Sequence, residues 1–599
     1  MFFGGNTDNA MTGRIYQATL RSVESCACVV CPPNTTMIMG RSHHSVRCGC
    51  DDSYCYTQGE CVLSTPSRKV VGETWRTCQT PPAPPPHPHA CDDPMFPLQW
   101  HLTRIRATEA WSMAAAHHHD VRVVVVDDGV RYDHPDLNVS VEHSFGWNDE
   151  HEYTTSSATT HTNHGTWCAG VAMSVRSNAL GGCGVALRGT LVGVRLLTSN
   201  GMYTEQALVD TLRMLTPWEQ AVVTNSWGPP PRGGPQGPGH TSSLAAVDAA
   251  LHDFGRRGRN GRGGVVVFAS GNGGEYDNVN DDGYAAHART IAVSSVGYND
   301  RRSTYAEPGA CLDLVAPSSI TSQQPEGVPA IMTTGSAASY VHTFGGTSAA
   351  APIVAGVVSL LLQTRPALRG ADVRRVLVRT ARRVDPDDPS WTRNAAGRWF
   401  SHWYGFGLVD AAEAVSLAQH WNVSDDDAVE ACAPAWTGSV TLSSTSERVR
   451  LPTVLHMHVE RVRVRVGVYD CTRCGGVQLR LVSPSGTVSR LTFDVPSSVS
   501  SGAFGSRWFS TNAFDGERSY GTWSLDAHAV YDAGRLNDVW MCVEGYPLRT
   551  NTESRTVSGR VWHMVWVCGS LGLLVVSGFV YALTRTPSVY GASPHLRPL

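Results

Sequence analysis

Between Cys91 and Val423, short runs of β-branched residues alternate with longer apolar stretches of helical character. "VRVVVVDDG" (121–129) and "GGVVVFASGNGG" (263–274) read as buried strands that end in loops. "GTWCAGVAMSV" (165–175) and "TSAAAPIVAGVVSLLLQ" (347–363) read as helices that begin directly after loops. The alternation predicts a doubly wound parallel α/β sheet with helices on both faces. Ligands in such a fold sit at the carboxyl ends of the strands. After the acidic "SDDDAVEA" (424–431) the pattern changes: "ERVRVRVGVYD", "VQLRLVSPSGTVSRLTF" and "GTWSLDAHAVYD" alternate with period two and are broken by turns, which predicts an all-β module.

Polar residues stand at predicted element ends where a fold has no need of them. Asp127 closes a four-valine strand, His164 opens a helix in "THTNHGTWCAG", and Ser348 follows "FGGT" at the mouth of the longest apolar helix. Each alone also reads as a turn former or helix cap. Together they supply a nucleophile, a base and a carboxylate to orient the base. The order Asp, His, Ser along the chain is the subtilisin order. Asn272, in a glycine-flanked turn after a buried strand, offers a side-chain amide that could donate to an oxyanion.

These segments, "VVDDGVRYDHPDL", "NHGTWCAG", "NSWGP", "FASGNGG", "DDGY" and "GGTSAAAP", resemble the subtilisin-like serine proteases of the furin and kexin type, the proprotein convertases. The resemblance covers roughly Asp92 to Val423 and continues into a segment similar to the convertase P domain, a β-sandwich. It implies a peptidase domain over 91–423, a P domain over 432–548, and acyl-enzyme chemistry by Asp127, His164 and Ser348 with Asn272 at the oxyanion. It implies precursor proteins with basic cleavage sites as substrates. Asp128 would meet the second residue before the cut, and Asp282 would lie at the floor of the primary pocket. Other family acids are absent: Pro231, beside Arg232, replaces one in the primary pocket, His161 another, and Leu208 a third, with Glu205 near it. Basic preference should therefore hold at the cut and weaken upstream. The resemblance also implies Ca2+, held by Asp93, Asp136 and Asn178 with the carbonyls of Val175, Leu180 and Gly182. A second ion would use Asp277 and Glu307, but its third carboxylate falls at Pro231. A broad-specificity subtilisin-like protease and a catalytically silent glycoprotein are the rival readings.

The ends of the chain lie outside the resemblance. Of 17 cysteines, nine fall between Cys26 and Cys91, a density that points to disulfides in an oxidising compartment. Zinc is the alternative, since "CGCDDSYC" and "CTRC" have tolerable spacing. Residues 1–83 form a Cys-rich region, a possible pro-region with Arg68 and Lys69 as a candidate cut, followed by a Pro-rich linker over 84–90. The first 20 residues contain no apolar run of signal-peptide length. Residues 561–583 are apolar over a length that spans a bilayer, with Trp562, Trp566 and Tyr581 suited to the interfaces, and 584–599 would be a short cytoplasmic tail. Sequons at Asn34, Asn138 and Asn422 agree with lumenal or extracellular exposure. A net charge of −4 and the lack of a basic stripe with interleaved aromatics argue against nucleic acid. Among the later cysteines, Cys432 with Cys471 or Cys474 is a candidate staple of the P domain, the sequence leaving the pairing open, and Cys168 is expected to be a buried free thiol.

Overall fold

The structure is a computed structural model. It describes residues 91–154, 163–230, 244–423, 428–453, 455–470, 476–493, 504–531 and 533–548, and the backbone of four short strands within 35–63. Those four form two antiparallel pairs, Thr35–Met39 with Val46–Cys50 and Tyr54–Thr57 with Glu60–Leu63. The expected linker (84–90), His161, Pro231, the Arg68–Lys69 cut, Cys471, Cys474 and the apolar span 561–583 lie outside the described residues.

The peptidase region is built on an eight-stranded sheet. Its strands are β1 (Arg122–Asp127), β2 (Phe145–Trp147), β3 (Tyr153–Thr154), β4 (Thr190–Arg195), β5 (Ala221–Asn225), β6 (Val265–Ala269), β7 (Thr290–Val296) and β8 (Leu314–Pro317). Their spatial order is β8-β7-β6-β5-β1-β4-β2-β3. All neighbours are parallel except β2 and β3. The valine runs are explained by burial on both sheet faces: Val123 and Val125 of β1 point into one core, Val124 and Val126 into the other. Helices α1 (His164–Met173) and α3 (Thr347–Thr364) pack on the first face, α2 (Glu205–Leu215) on the second. Among the described residues α3 is the one helix long and apolar enough to cross a membrane, and it is wholly buried in this core.

The β module follows as predicted. Strands β9 (Val429–Leu442), β10 (Glu447–Thr453), β11 (Met457–Tyr469), β12 (Val477–Val482), β13 (Val488–Arg490), β14 (Gly505–Thr511), β15 (Gly521–Ala529) and β16 (Gly534–Pro547) form two four-stranded antiparallel sheets, β9-β16-β11-β14 and β10-β15-β12-β13. Val464, Leu479, Trp523, Leu525 and Val539, drawn from both sheets, fill one core between them. The cysteine expectation is corrected here. Cys432 pairs with Cys542, because β9 and β16 are neighbours and their register sets these two residues directly opposite. Cys168 is a buried free thiol, as expected, and so is Cys311. A second disulfide joins Cys91 to Cys183.

The two modules are joined by buried polar contacts. Arg461 of β11 donates to the carbonyl of His287 at 2.8 Å, and Asn512 Nδ2 donates to the carbonyl of Cys311 at 2.7 Å. Arg374 pairs with Asp515 at 3.7 Å and Arg289 with Glu544 at 2.6 Å. Removing one partner from such a pair leaves an uncompensated buried charge, so these contacts tie the modules tightly.

Candidate active site

Asp127 ends β1 and is buried. His164 begins α1, and its Nδ1 lies 2.9 and 3.0 Å from the two Asp127 carboxylate oxygens. The helix docks this closely because residue 165 is glycine: a Cβ there would stand 2.2 Å from the carbonyl of Gly129 and 3.0 Å from Asp127 Cβ. Burial pulls the imidazole down in pKa. The Asp127 charge and hydrogen bond outweigh it and push His164 up to about 9. Phe344 and Trp167 meet the imidazole edge-on at 5.8 and 6.2 Å.

Asp128 is engaged by the start of α1. Its Oδ2 accepts from the backbone N–H groups of Asn163 and His164, both at 3.2 Å, and its Oδ1 from Gly165 at 2.7 Å. The residue singled out for substrate contact therefore also holds the first turn of the helix that carries His164.

Ser348 sits in the first turn of α3, buried, and its Oγ donates to the carbonyl of Ser226 at 3.2 Å. Four residues later stands Pro352, which has no N–H to offer the Ser348 carbonyl. Side chains take that place. Ser226 Oγ donates to the Ser348 carbonyl at 3.0 Å, and Cys168 Sγ approaches it at 3.7 Å. Cys168 Sγ also lies 4.0 Å from Asp127 Oδ2, so this thiol from α1 touches both halves of the constellation. Burial and the nearby Asp127 charge raise the Cys168 pKa well above its ordinary value, which keeps it a neutral donor. Sequence reasoning passed over Ser226 and gave Cys168 no role. The signal available was the four-residue spacing from Ser348 to Pro352.

Asn272 follows β6 at the same sheet edge. Its Oδ1 accepts from Thr347 N–H at 2.9 Å and lies 3.1 Å from Thr347 Oγ1. With the carbonyl end fixed, the amide NH2 is the end left to face the cleft.

Next to Asn272 and Ser226 lies a cavity of about 160 Å³ whose walls carry four acids, Asp277, Asp281, Asp282 and Glu307. Asp282 is buried, and burial pushes it up to about 7; its Oδ1 accepts from Tyr284 N–H at 2.8 Å. Its Oδ2 faces Gly228 of "NSWGP", where a Cβ would come within 2.7 Å. Burial and the adjacent Asp277 hold Glu307 well above the usual carboxylate range, and its Oε1 accepts from Gly273 N–H at 2.7 Å. The wall bearing these acids is attached to the β module, a feature the sequence did not reveal. Asn278 Nδ2 donates to the Leu491 carbonyl, Asn280 exchanges two hydrogen bonds with the Ser510 backbone, and Arg507 pairs with Asp281 at 2.9 Å.

The residues named for calcium also converge. Asp93 accepts from the N–H groups of Ser177, Asn178 and Ala179, and Asn178 Nδ2 donates to Asp136 Oδ1 at 2.9 Å. Asp136 Oδ2 is buried and has no hydrogen-bond partner. Burial, with Asp93 adding to it, pushes Asp136 up to about 7. Two buried carboxylates beside an amide, one oxygen orphaned, fit a hard cation.

Residues 118–407 match the subtilase family profile, and residues 459–541 match the proprotein convertase P-domain. The chain carries a subtilase domain followed by a proprotein convertase P domain. Furin-like protease 1, isoform 1-CRR, of Drosophila melanogaster is 33% identical to this chain over 454 residues, which cover 73% of this chain and 40% of that protein. Neuroendocrine convertase 2 of Homo sapiens is 29% identical over 475 residues, covering 74% of this chain and 72% of that protein. The serine protease of Aeromonas sobria superposes with a TM-score of 0.63 at 24% identity, over 76% of this chain and 96% of that one, which establishes the shared fold.

Proposed function

We propose that this protein is a calcium-dependent serine endopeptidase of the furin and kexin type, which cleaves precursor proteins after basic residues. The observation that carries the reading is the Asp127–His164 pair at 2.9 Å on the sheet edge where Ser348 and Asn272 also stand, joined through Thr347. Asp127 orients the imidazole, and His164 takes the Ser348 proton as Oγ attacks the scissile carbonyl. The oxyanion receives the Asn272 amide. His164 returns the proton to the leaving amine, and water then hydrolyses the acyl-enzyme. Asp282, at the floor of the adjacent acidic cavity, suits an Arg or Lys side chain. Asp128 supports the residue before it. The absence of acids at His161, Leu208 and Pro231 supports looser selection upstream. The disulfides and sequons favour the secretory pathway, with the catalytic region lumenal or extracellular and the apolar span 561–583 as membrane anchor.

Fluorogenic peptides that differ only in the residue before the cut test this. Arg or Lys there should raise kcat/KM by about tenfold to a hundredfold over Leu, the worth of one charge-assisted contact. Equal rates would make the enzyme a broad-specificity subtilase, and no turnover with no fluorophosphonate labelling would make it a silent scaffold.

Asp93, Asp136 and Asn178, with the carbonyls of Val175, Leu180 and Gly182, would hold one Ca2+, which supplies positive charge between the buried carboxylates. A second ion beside the pocket would use Asp277 and Glu307 but lacks its third carboxylate, whose position falls at Pro231. Between the ordinary Asp value and about 7, cation-free folded protein keeps a proton on Asp136 that the unfolded chain releases. Stability without the cation therefore falls as pH rises through that window. EDTA should lower Tm more at pH 8 than at pH 5. An equal shift at both pH values would remove Asp136 from the calcium site.

A further inference from the structure

A hairpin of two short strands, Ile331–Thr334 and Tyr340–Phe344, touches both the catalytic helix and the turn that carries Asp136. Its first strand meets the helix. Thr334 Oγ1 donates to the Thr166 carbonyl and Thr333 Oγ1 to the Trp167 carbonyl, both at 2.7 Å. Its second strand ends at Phe344, edge-on to the His164 imidazole at 5.8 Å. The other end of that strand meets the Asp136 turn. His134 Nε2 donates to the Ser339 carbonyl at 3.0 Å, and His134 Nδ1 accepts the Asp136 N–H at 3.1 Å. The same imidazole stands edge-on to the Tyr340 ring at 5.6 Å.

Tyr340 is fitted closely to the residues named for calcium. A Cβ on Gly181 would stand 2.1 Å from Tyr340 Cε1, 2.5 Å from Cζ, which bears the hydroxyl, and 2.3 Å from Asp136 Oδ2. The bare glycine therefore leaves room that the phenol ring and the carboxyl share. Tyr340 Oη and Asp136 Oδ2 are both buried, and neither completes a hydrogen bond. Burial, with the Asp136 charge adding to it, pushes the phenol up to about 12, so it keeps its proton as a donor. Buried polar atoms are ordinarily satisfied, so a donor and an acceptor left incomplete side by side point to a role beyond packing.

We propose that Tyr340 is a positioning residue of the cation site, and that its phenol O–H donates to the Asp136 carboxylate when calcium is bound there. A carboxyl must be ionised to hold a metal, and ligating carboxylates are in turn held by a further hydrogen bond. A donor bonds more strongly to a charged oxygen than to a neutral one. Asp136 Oδ2 lacks a donor, and Tyr340 Oη is a buried donor beside it. The consequence reaches the active site. Calcium that fixes Asp136 also fixes Tyr340, and the same strand ends at Phe344 against His164. The Thr333 and Thr334 hydroxyls carry that bracing to the first turn of α1. The inference rests on the calcium reading above, and the experiment keeps the two apart.

Calcium is titrated calorimetrically into full-length Ser348→Ala protein, which cannot cut itself. Tyr340→Phe in that background keeps the ring over Gly181 and removes only the oxygen. It should weaken the calcium Kd by about tenfold to a hundredfold, the usual cost of losing a partner of a metal ligand. In EDTA its Tm should match that of the parent, because Oη has no hydrogen bond to lose. A phenol needed only for packing would instead lower Tm equally with and without calcium. Hydrogen exchange reads the bracing. Calcium should slow the amides of 177–182 in both proteins at saturation, and those of 340–344 in the parent alone. A Kd within about twofold of the parent overturns the proposal. So does slowing of 340–344 that survives Tyr340→Phe, or a Tm that already falls in EDTA. If the parent itself binds no calcium, the calcium reading fails and this role falls with it; binding at equal Kd in both proteins defeats the role of Tyr340 alone.

Discussion

Ser348→Ala is expected to abolish fluorophosphonate labelling and to lower kcat by about a millionfold, the scale known for the subtilisin triad and carried over to this relative. The physical reason is that the hydroxyls beside Ser348 are already engaged: Thr347 Oγ1 lies 3.1 Å from both the Gly271 carbonyl and Asn272 Oδ1. Ser226 Oγ is already donating to the Ser348 carbonyl. His164→Ala should cost about as much, and the double variant little more, because base and nucleophile act as one unit. Asp127→Asn should cost about ten-thousandfold, through loss of the tautomer that its contact to Nδ1 selects. In the free protein Ser348 Oγ points to the Ser226 carbonyl, so a rotation of the hydroxyl toward His164 precedes attack; catalytic hydrogen bonds commonly tighten only with substrate bound.

The same pair sets the pH dependence. His164 must be neutral to accept a proton, and its value stands near 9, so kcat/KM should climb with pH and level off above about 9. Stability moves the other way. A histidine raised in the folded state contributes stability that is fully present below its unfolded value and lost as pH rises through about 9. Calcium-saturated protein separates this trend from that of Asp136. A flat activity profile between pH 6 and 9 would detach His164 from the rate-determining proton transfer.

What could be read from the sequence, and what could not, divides along the range of the interactions. Asp127, His164, Asn272 and Ser348 were legible because each marks the end of a strand or helix, and period and turn chemistry locate such ends from a few neighbours. The two modules were legible for the same reason, since the period changes from mixed to two after Val423. The Cys432–Cys542 bridge was not, because it depends on the register of two strands 110 residues apart. The attachment of the pocket wall to the P domain was equally hidden. Asn280 reads as a loop residue until Ser510 is found against it, and Arg507 reads as strand decoration until Asp281 meets it. Asp128 shows a subtler gap. Its substrate role came from resemblance, whereas its hold on the first turn of α1 follows from where Gly165 lets that turn sit.

Asn272→Leu is expected to lower kcat by about a hundredfold to a thousandfold with little change in KM, about 2.7–4 kcal/mol of transition-state stabilisation, again on the scale of subtilisin's own amide. The direction follows from how the side chain is held. Thr347 N–H and hydroxyl both meet Oδ1, at 2.9 and 3.1 Å, so the carbonyl end is fixed inward. The NH2 end is thereby oriented before substrate arrives, and a preoriented donor gains most when the carbonyl oxygen acquires charge in the transition state. Leucine keeps the shape and removes the donor. Asn272→Asp should be at least as damaging, because a carboxylate would repel the oxyanion and would face the acids of the neighbouring cavity. Thr347→Val retains the backbone N–H and removes only the hydroxyl contact, so its loss should be smaller, with Asn272 still present but less firmly aimed. Fluorophosphonate labelling of Ser348 checks that each variant keeps a folded nucleophile. If Asn272→Leu raised KM and left kcat intact, the amide would be a substrate contact of the ground state, and the oxyanion would have to draw its stabilisation from backbone N–H groups alone.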